Sequence, residues 1–389
     1  MRVVILGGGY AGVMCALRLA RRTRGQVAIT LVSANPWFVD RVRLHQAAAS
    51  SEPVRHELAA MVAGTGISLK IGYVTRIDPR GELLIGSERV PFEQLVVALG
   101  SRVDADGVPG IREHAFTLDD ASTGALAERL PSIAARGGRL VVIGAGLTGI
   151  ESASELAEAH PGLQVTLLSA GELGSGYSEA GRRHLHAAMD RLGVTLEQGR
   201  VRRIQAGSVE LEGHSLPFDA CLWVGGFRVP EVVRQSGLPV NAKGQVLVDS
   251  YLRALDHENI YVIGDAATLV EPPSAMVMGC KTALPMGTHV AESLTQLSSG
   301  ESPAPFDYRD AAVCISLGRR DGLVQPLRKD GSPTAWVFTG RVGAWIKEAI
   351  CRFVIRTLRA ERSGLSFFFW FKTGRKPSPG AAEQRTLAA

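Results

Sequence analysis

Two glycine triplets share one spacing, Gly7-x-Gly9-x-x-Gly12 and Gly144-x-Gly146-x-x-Gly149. Such a triplet does chemistry only where a strand meets a helix. There the first glycine permits a tight turn, the second lets a pyrophosphate approach the backbone, and the third lets helix and strand pack closely. Both triplets meet that condition. Arg2–Leu6 (RVVIL) is a short β-rich run before the first, a helical pattern follows to Arg22, and Val27–Val32 (VAITLV) is a second apolar run. Arg139–Ile143 (RLVVI) precedes the second triplet, a helical stretch runs to about His160, and Val165–Leu168 (VTLL) follows. Each is a strand–turn–helix–strand unit of about thirty residues. One motif is a weak signal, since an ordinary αβ turn can carry it. Two in the right context predict two dinucleotide sites, with an empty second site as the alternative.

Later segments fit a doubled plan. Leu95–Ser101 (LVVALGS) reads as a buried strand ending in glycine, and Asn259–Asp265 (NIYVIGD) as another ending in Gly-Asp. Ala275 to about Leu297 reads as a helix after the Pro272-Pro273 break. Beyond Pro305, Val313–Ser316 and Ala335–Phe338 read as strands and Arg341–Arg359 as a helix. The expected fold is α/β, with two Rossmann-like domains. The first is discontinuous, residues 1–110 and 245–305, the second is inserted at 111–244, a β/α region spans 306–376, and 377–389 is a disordered tail.

Composition narrows the function classes. The 389 residues are 46% hydrophobic and 21% charged, which supports a buried core and excludes global disorder. The five cysteines (Cys15, Cys221, Cys280, Cys314, Cys351) form no CxxC pair, which argues against a zinc ribbon, any other metal site of that kind, or a local redox disulfide. Scattered thiols fit a reducing cytosol, and a first strand at Arg2 leaves no room for a cleaved signal peptide, so a cytoplasmic protein is expected. The net charge of +5 is concentrated: Arg341–Lys376 holds nine Lys/Arg against two Glu. In that segment Val342, Trp345, Ile346, Ala349, Ile350, Phe353, Val354, Thr357 and Leu358 follow helical spacing, and Phe367–Phe371 is an aromatic run. Basic borders around an apolar face describe an anchor lying on a membrane surface. Packing within the chain or across a homodimer is the alternative. Consecutive aromatics are no stacking platform for nucleic acid.

GGGYAG at 7–12, VVALGS at 96–101, GAGLTGIE at 144–151, LWVGG at 222–226 and IYVIGDAA at 260–267 together resemble the two-dinucleotide flavoprotein reductases and, within them, the type II NADH dehydrogenases. The resemblance covers about residues 1–310 and continues more weakly to about 360. It implies FAD and either NADH or NADPH as cofactors, with electrons passing from the nicotinamide through the flavin to a quinone or quinone-like aromatic acceptor. It places Gly7, Gly9, Tyr10, Ala11, Gly12, Ala98, Gly100, Gly264 and Asp265 around FAD, with Arg41, Arg43 and His45 on the flavin side. It places Gly144, Gly146 and Gly149 on the nicotinamide dinucleotide and Glu151 near both rings. His45 is named as facing substrate, with a purely structural histidine as the alternative.

Three departures qualify what the resemblance implies. The ribose-binding acid expected after each second strand is Ser33 in the first half and Ser169 in the second. A serine still bonds a ribose hydroxyl, but loss of the second carboxylate opens the site to NADPH, with Arg182 and Arg183 as distant phosphate candidates or a solvated face. The quinone-facing glutamines of the type II enzymes are replaced by Met276 and Cys280, with Lys281 beside them as a cation. Sulfide:quinone reductases share the scaffold but need paired cysteines, for which Cys280 and Cys314 are the candidates. The altered acceptor segment also admits a flavoenzyme acting directly on a small organic substrate, with a silent nicotinamide site.

Overall fold

The computed structural model describes residues 1–270 and 276–374. The Pro272-Pro273 break, Ala275 and the tail beyond Pro377 lie outside the described residues.

The chain opens with β1 (Arg2–Leu6), α1 (Tyr10–Thr23) and β2 (Ala28–Ser33). The short hairpin strands β3 (Trp37–Val39) and β4 (Arg55–Glu57) follow, with α2 (Leu44–Ser50) between them, then β5 (Ser68–Ile71) and β6 (Gln94–Val97). A second set comprises β7 (Phe116–Thr117), α3 (Asp120–Ala134), β8 (Arg139–Ile143), α4 (Leu147–Ala159), β9 (Gln164–Ser169), α5 (Glu179–Arg191), β10 (Thr195–Gln198) and β11 (Ala220–Trp223). The chain then adds β12 (Ile260–Val262), α6 (Cys280–Ser298), the hairpin β13 (Ala312–Ser316) and β14 (Gly322–Pro326), and α7 (Gly340–Arg362).

Two parallel sheets result, ordered β12-β6-β1-β2-β5 and β7-β11-β8-β9-β10. β12 returns from far along the sequence to pair with β6, Ile260 against Leu95. Val3–Leu6 and Leu140–Ile143 are buried throughout. Parallel strands covered on both faces carry continuous apolar runs, which is why RVVIL and RLVVI do not alternate.

Helices α1 and α6 pack almost backbone to backbone. A Cβ on Gly287 would come within 2.4 Å of the Ala11 carbonyl oxygen, so only glycine fits there. α7 closes over this pair. Val354 and Leu358 enter the core, and the buried Glu361 holds Arg18 (2.7 Å) and Arg21 (3.1 Å) of α1.

Two expected elements change. The helix after the proline pair starts at Cys280, because Gly279 (φ 160°) has an extended backbone and only then does the chain turn helical. Ala335–Phe338 forms no strand. Phe338 exchanges one pair of hydrogen bonds with Val324, and Gly340, at φ 63°, turns the chain directly into α7.

Candidate functional site

The carboxyl ends of β1, β2 and β6 and the start of α6 open into a cavity of about 1080 Å³. The first glycine triplet forms one end. Gly7 has φ 120°, and a Cβ there would sit 2.1 Å from the Ala98 carbonyl oxygen. A Cβ on Gly12 would sit 2.0 Å from the Gly7 oxygen, so both glycines are required by packing. A Cβ on Gly9 would meet nothing within 4 Å, leaving its backbone open to the cavity. Gly9 is also the N-cap of α1, and no side chain caps it. The free N–H groups and the helix dipole therefore face the opening, which is how a diphosphate is held.

The second triplet repeats the arrangement. Gly144 has φ 110°, a Cβ on Gly149 would lie 1.7 Å from the Gly144 oxygen, and Gly146 has open space. Gly146 caps α4 without a side chain. By contrast α3 and α5 are capped by the side chains of Asp119 and Ser178. Gly279 at the start of α6 also lacks a side-chain cap, and Gly279, Cys280 and Lys281 line the cavity. On the opposite rim Asp265 accepts from Ser101 Oγ (2.6 Å), and Ser101 O accepts from Arg41 (2.5 Å). Ala98, Gly100, Ser33, Gly264 and Asp265 all line the cavity. Tyr10 lines it too, but its hydroxyl donates to the buried Asp40 (2.6 Å), and burial first, then Asp40, pushes its pKa well up.

A buried charge cluster lines the same cavity. Lys347 of α7 donates to Glu151 Oε1 (2.8 Å) and to the Cys314 carbonyl (3.3 Å). The Ser316 amide also donates to Glu151 (3.1 Å), and His45 Nδ1 stands 4.0 Å from its other oxygen. Burial alone would raise the Glu151 carboxyl, but Lys347 and His45 with these hydrogen bonds hold it below the usual range. Burial works to lower the Lys347 pKa, yet Glu151 keeps it raised above the ordinary lysine value. His45 is pulled down to about 4, chiefly by burial. It is therefore neutral at pH 7 and no proton reservoir there.

A depressed folded-state histidine contributes stability that is present above pH 6.5 and lost as the pH falls from 6.5 to 4. His45→Asn is accordingly expected to flatten that part of the stability–pH curve by on the order of 3 kcal/mol, read by urea unfolding at a series of pH values.

The remaining sequence candidates divide. Cys280 lines the cavity, but burial pushes its thiol up to about 12, and Cys314 to about 11. Both thiols are protonated at neutral pH, and all five cysteines are free. Lys281 pairs with Asp310 (2.9 Å) at the rim. Met276 does not line the cavity. It packs against the core, and Val277 and Met278 take the lining positions. Ser169 turns back to its own loop, donating to the Gly171 carbonyl (2.6 Å). Arg182 is paired with Glu172 and Arg183 with Glu179, both on exposed surface. The double variant Arg182→Ala with Arg183→Ala is expected to leave the NADH-to-NADPH ratio of kcat/KM unchanged within about two-fold, because both side chains lie on exposed surface and neither residue lines the cavity. Among the described residues no cluster of His, Cys, Asp or Glu could hold a metal ion.

Sequence reasoning did not single out Lys347 as the partner of Glu151. In the sequence Lys347 reads only as one of the basic residues of Arg341–Lys376. Its contact with Glu151 spans most of the chain, and no local pattern marks it.

The family model described as pyridine nucleotide-disulphide oxidoreductase matches residues 1–293, which include both glycine cradles and β12 with its Gly-Asp. An NADH dehydrogenase-like protein of Mycobacterium tuberculosis is 30% identical over 321 residues, covering 74% of this chain and 78% of that one. The type II NADH:quinone oxidoreductase of Staphylococcus aureus is 25% identical over 389 residues, covering 90% and 94%. The sulfide:quinone oxidoreductase of Aquifex aeolicus superposes with a TM-score of 0.80 at 20% identity, over 94% of this chain and 92% of that one, which is a likeness of fold. A family match over that length, resting on two cradles that only glycine can build, shows that the chain belongs to the pyridine nucleotide-disulphide oxidoreductase family and works as an oxidoreductase with FAD and NAD(H).

Proposed function

We propose that the chain takes electrons from NADH and delivers them to a quinone drawn from a membrane surface. FAD, held at the Gly7–Gly12 cradle and the Gly264-Asp265 pair, would supply the two-electron chemistry between them. The nicotinamide dinucleotide belongs at the Gly144–Gly149 cradle. NADH is favoured over NADPH because the relatives in Mycobacterium tuberculosis and Staphylococcus aureus are NADH dehydrogenase-like and NADH:quinone enzymes.

The observation that carries the acceptor is the far end of the cavity. Trp345, Ile346, Ile350, Phe353 and Phe368–Phe371 line it, and they lead to exposed apolar surface. Trp345 is 73% exposed, and Leu365 and Phe369 are 66% exposed. Arg341, Arg352, Arg356 and Arg359 flank this face. Such a surface suits anionic lipid, and the passage beside it suits an apolar aromatic acceptor. Among the described residues no helix is long and apolar enough to cross a membrane, so the contact would be peripheral. The type II NADH:quinone oxidoreductase of Staphylococcus aureus supports the same acceptor class.

Lys347 is the residue placed to steady that acceptor. Its ammonium has three N–H donors, two of them given to Glu151 and the Cys314 carbonyl. The third is available to the cavity that Lys347 lines, where it would stabilise charge arriving on a carbonyl oxygen.

The test is steady-state NADH oxidation with a short-chain quinone, with and without vesicles of anionic lipid. Quinone reduction that rises with vesicles supports the reading. NADH oxidation by ferricyanide but by no quinone would remove the acceptor from it, and a stable dimer that covers Trp345 without lipid binding would remove the membrane.

A further inference from the structure

On the other side of α7 from the main cavity lies a second one, of about 330 Å³, between that helix and the β3–β4 hairpin. Its volume is at the lower end of small-ligand pockets. Its charge is lopsided. Five arginines (Arg43, Arg55, Arg352, Arg356, Arg359) face one acid, Asp40. Part of that charge is already balanced. Arg43 binds Glu348 (3.0 Å) and approaches Asp40 (3.4 Å), Arg352 binds Glu348 (2.6 Å), and Arg55 lies over the Trp37 ring (4.6 Å).

Arg356 and Arg359 differ. Neither has a carboxylate partner within ion-pair distance among the described residues. Three positions apart on a helix, they open on the same face. His56 of β4 lines the cavity opposite them, and burial together with Arg359 holds its pKa below the ordinary value, with Asp40 opposing. A neutral imidazole beside two guanidiniums still offers an N–H to an anion. Pro53, Val54 and Ile355 complete the lining with apolar surface.

We propose that this cavity binds a phosphate ester, its phosphate held by Arg356 and Arg359 with His56 and its organic part against Pro53, Val54 and Ile355. Guanidinium is matched to phosphate because its planar fork gives two parallel charge-assisted hydrogen bonds. The apolar lining favours an ester over a bare ion. The site shares α7 with the main cavity but uses none of its lining. Its arginines also border the lipid-facing surface, so the response of His56 is what separates a phosphate bound in the cavity from general attraction to anionic lipid.

The same chemistry could come from a soluble phosphorylated metabolite or from the headgroup of a phospholipid. The test uses the FAD-loaded full chain, with glycerol 3-phosphate as the soluble probe and phosphatidylglycerol in phosphatidylcholine vesicles as the lipid probe. Affinity is measured by calorimetry or co-sedimentation, and the His56 ring is followed by NMR across pH. A bound phosphate offsets the field of Arg359, so His56 is expected to titrate at higher pH in the complex. Arg356→Ala with Arg359→Ala is expected to weaken binding at least ten-fold. Arg200→Ala with Arg203→Ala, which removes the same charge elsewhere, should leave it unchanged. Pair-dependent binding of glycerol 3-phosphate identifies a soluble ligand, and pair-dependent binding of vesicles alone, with the His56 titration moved up, identifies a headgroup. Equal loss in the control double, an unmoved His56 with either probe, or no binding of either probe overturns the proposal.

Discussion

Lys347→Met is expected to destabilise the fold by about 3–5 kcal/mol at pH 8 and to slow quinone reduction at least ten-fold. The physical reason is the buried pair. Lys347 Nζ and Glu151 Oε1 are 2.8 Å apart, both largely shielded from water, and removal of the cation strands a carboxylate. The pH dependence separates this cause from lost packing. In the wild type the Glu151 carboxyl is held low, so the pair stabilises above the ordinary carboxylate pKa and that contribution is lost as the pH falls through the folded value. Without Lys347, burial dominates and the carboxyl pKa rises. The folded variant then favours the protonated acid, so its deficit shrinks from pH 8 toward pH 5. Adding Glu151→Gln should recover much of the stability without recovering quinone reduction. Urea unfolding of the wild type and both variants at three pH values checks this. A Lys347→Met protein with wild-type stability and wild-type pH dependence would show that the pair carries no such weight.

Gly146→Ala is expected to separate the two cofactors. A Cβ at Gly146 meets no protein atom within 4 Å, and its backbone is extended (φ −72°, ψ −176°), so alanine is compatible with the fold. Stability should stay within about 1 kcal/mol of wild type. The added methyl group would project into the space open to a pyrophosphate. FAD content should be unchanged, while the rate at which NADH bleaches the flavin at fixed concentration falls at least ten-fold, about 1.4 kcal/mol. Gly9→Ala should do the converse, weakening FAD binding in a protein that still folds. Flavin absorbance on purification and thermal unfolding distinguish these results from a general loss of structure. Gly12→Ala and Gly149→Ala are different in kind. Their Cβ atoms would collide with backbone oxygens at 2.0 Å and 1.7 Å, so they disturb the fold itself.

What the sequence reveals of this molecule follows from how local each feature is. The two cradles are written within thirty residues each, because turn, helix start and close packing all depend on consecutive backbone. The Gly264-Asp265 pair is legible for the same reason, although β12 reaches its sheet from far along the chain. Lys347 with Glu151 is not legible. Each residue lies on its own helix, and only the packing of α7 over the cavity joins them. The tail illustrates the same limit. Its basic and apolar pattern marks an amphipathic helix, but the pattern does not tell that Glu361 turns inward to Arg18 and Arg21 or that Lys347 faces the cavity. The strand expected at Ala335–Phe338 fails because the turn at Gly340 leaves it a single pairing, a tertiary fact that β propensity does not contain. Met276 and Cys280 stand where acceptor-facing residues are expected, yet one packs into the core and the other is a protonated thiol.

The most direct measurement is anaerobic stopped-flow of the FAD-loaded protein in two mixes, first with NADH and then with a quinone, following flavin absorbance. Fast bleaching by NADH and fast recovery on quinone addition, with recovery slowed in Lys347→Met and bleaching slowed in Gly146→Ala, is the predicted result. Bleaching by NADH with no recovery on quinone, or recovery unaffected by Lys347→Met, would contradict the claim that the Lys347 end of the cavity serves a quinone.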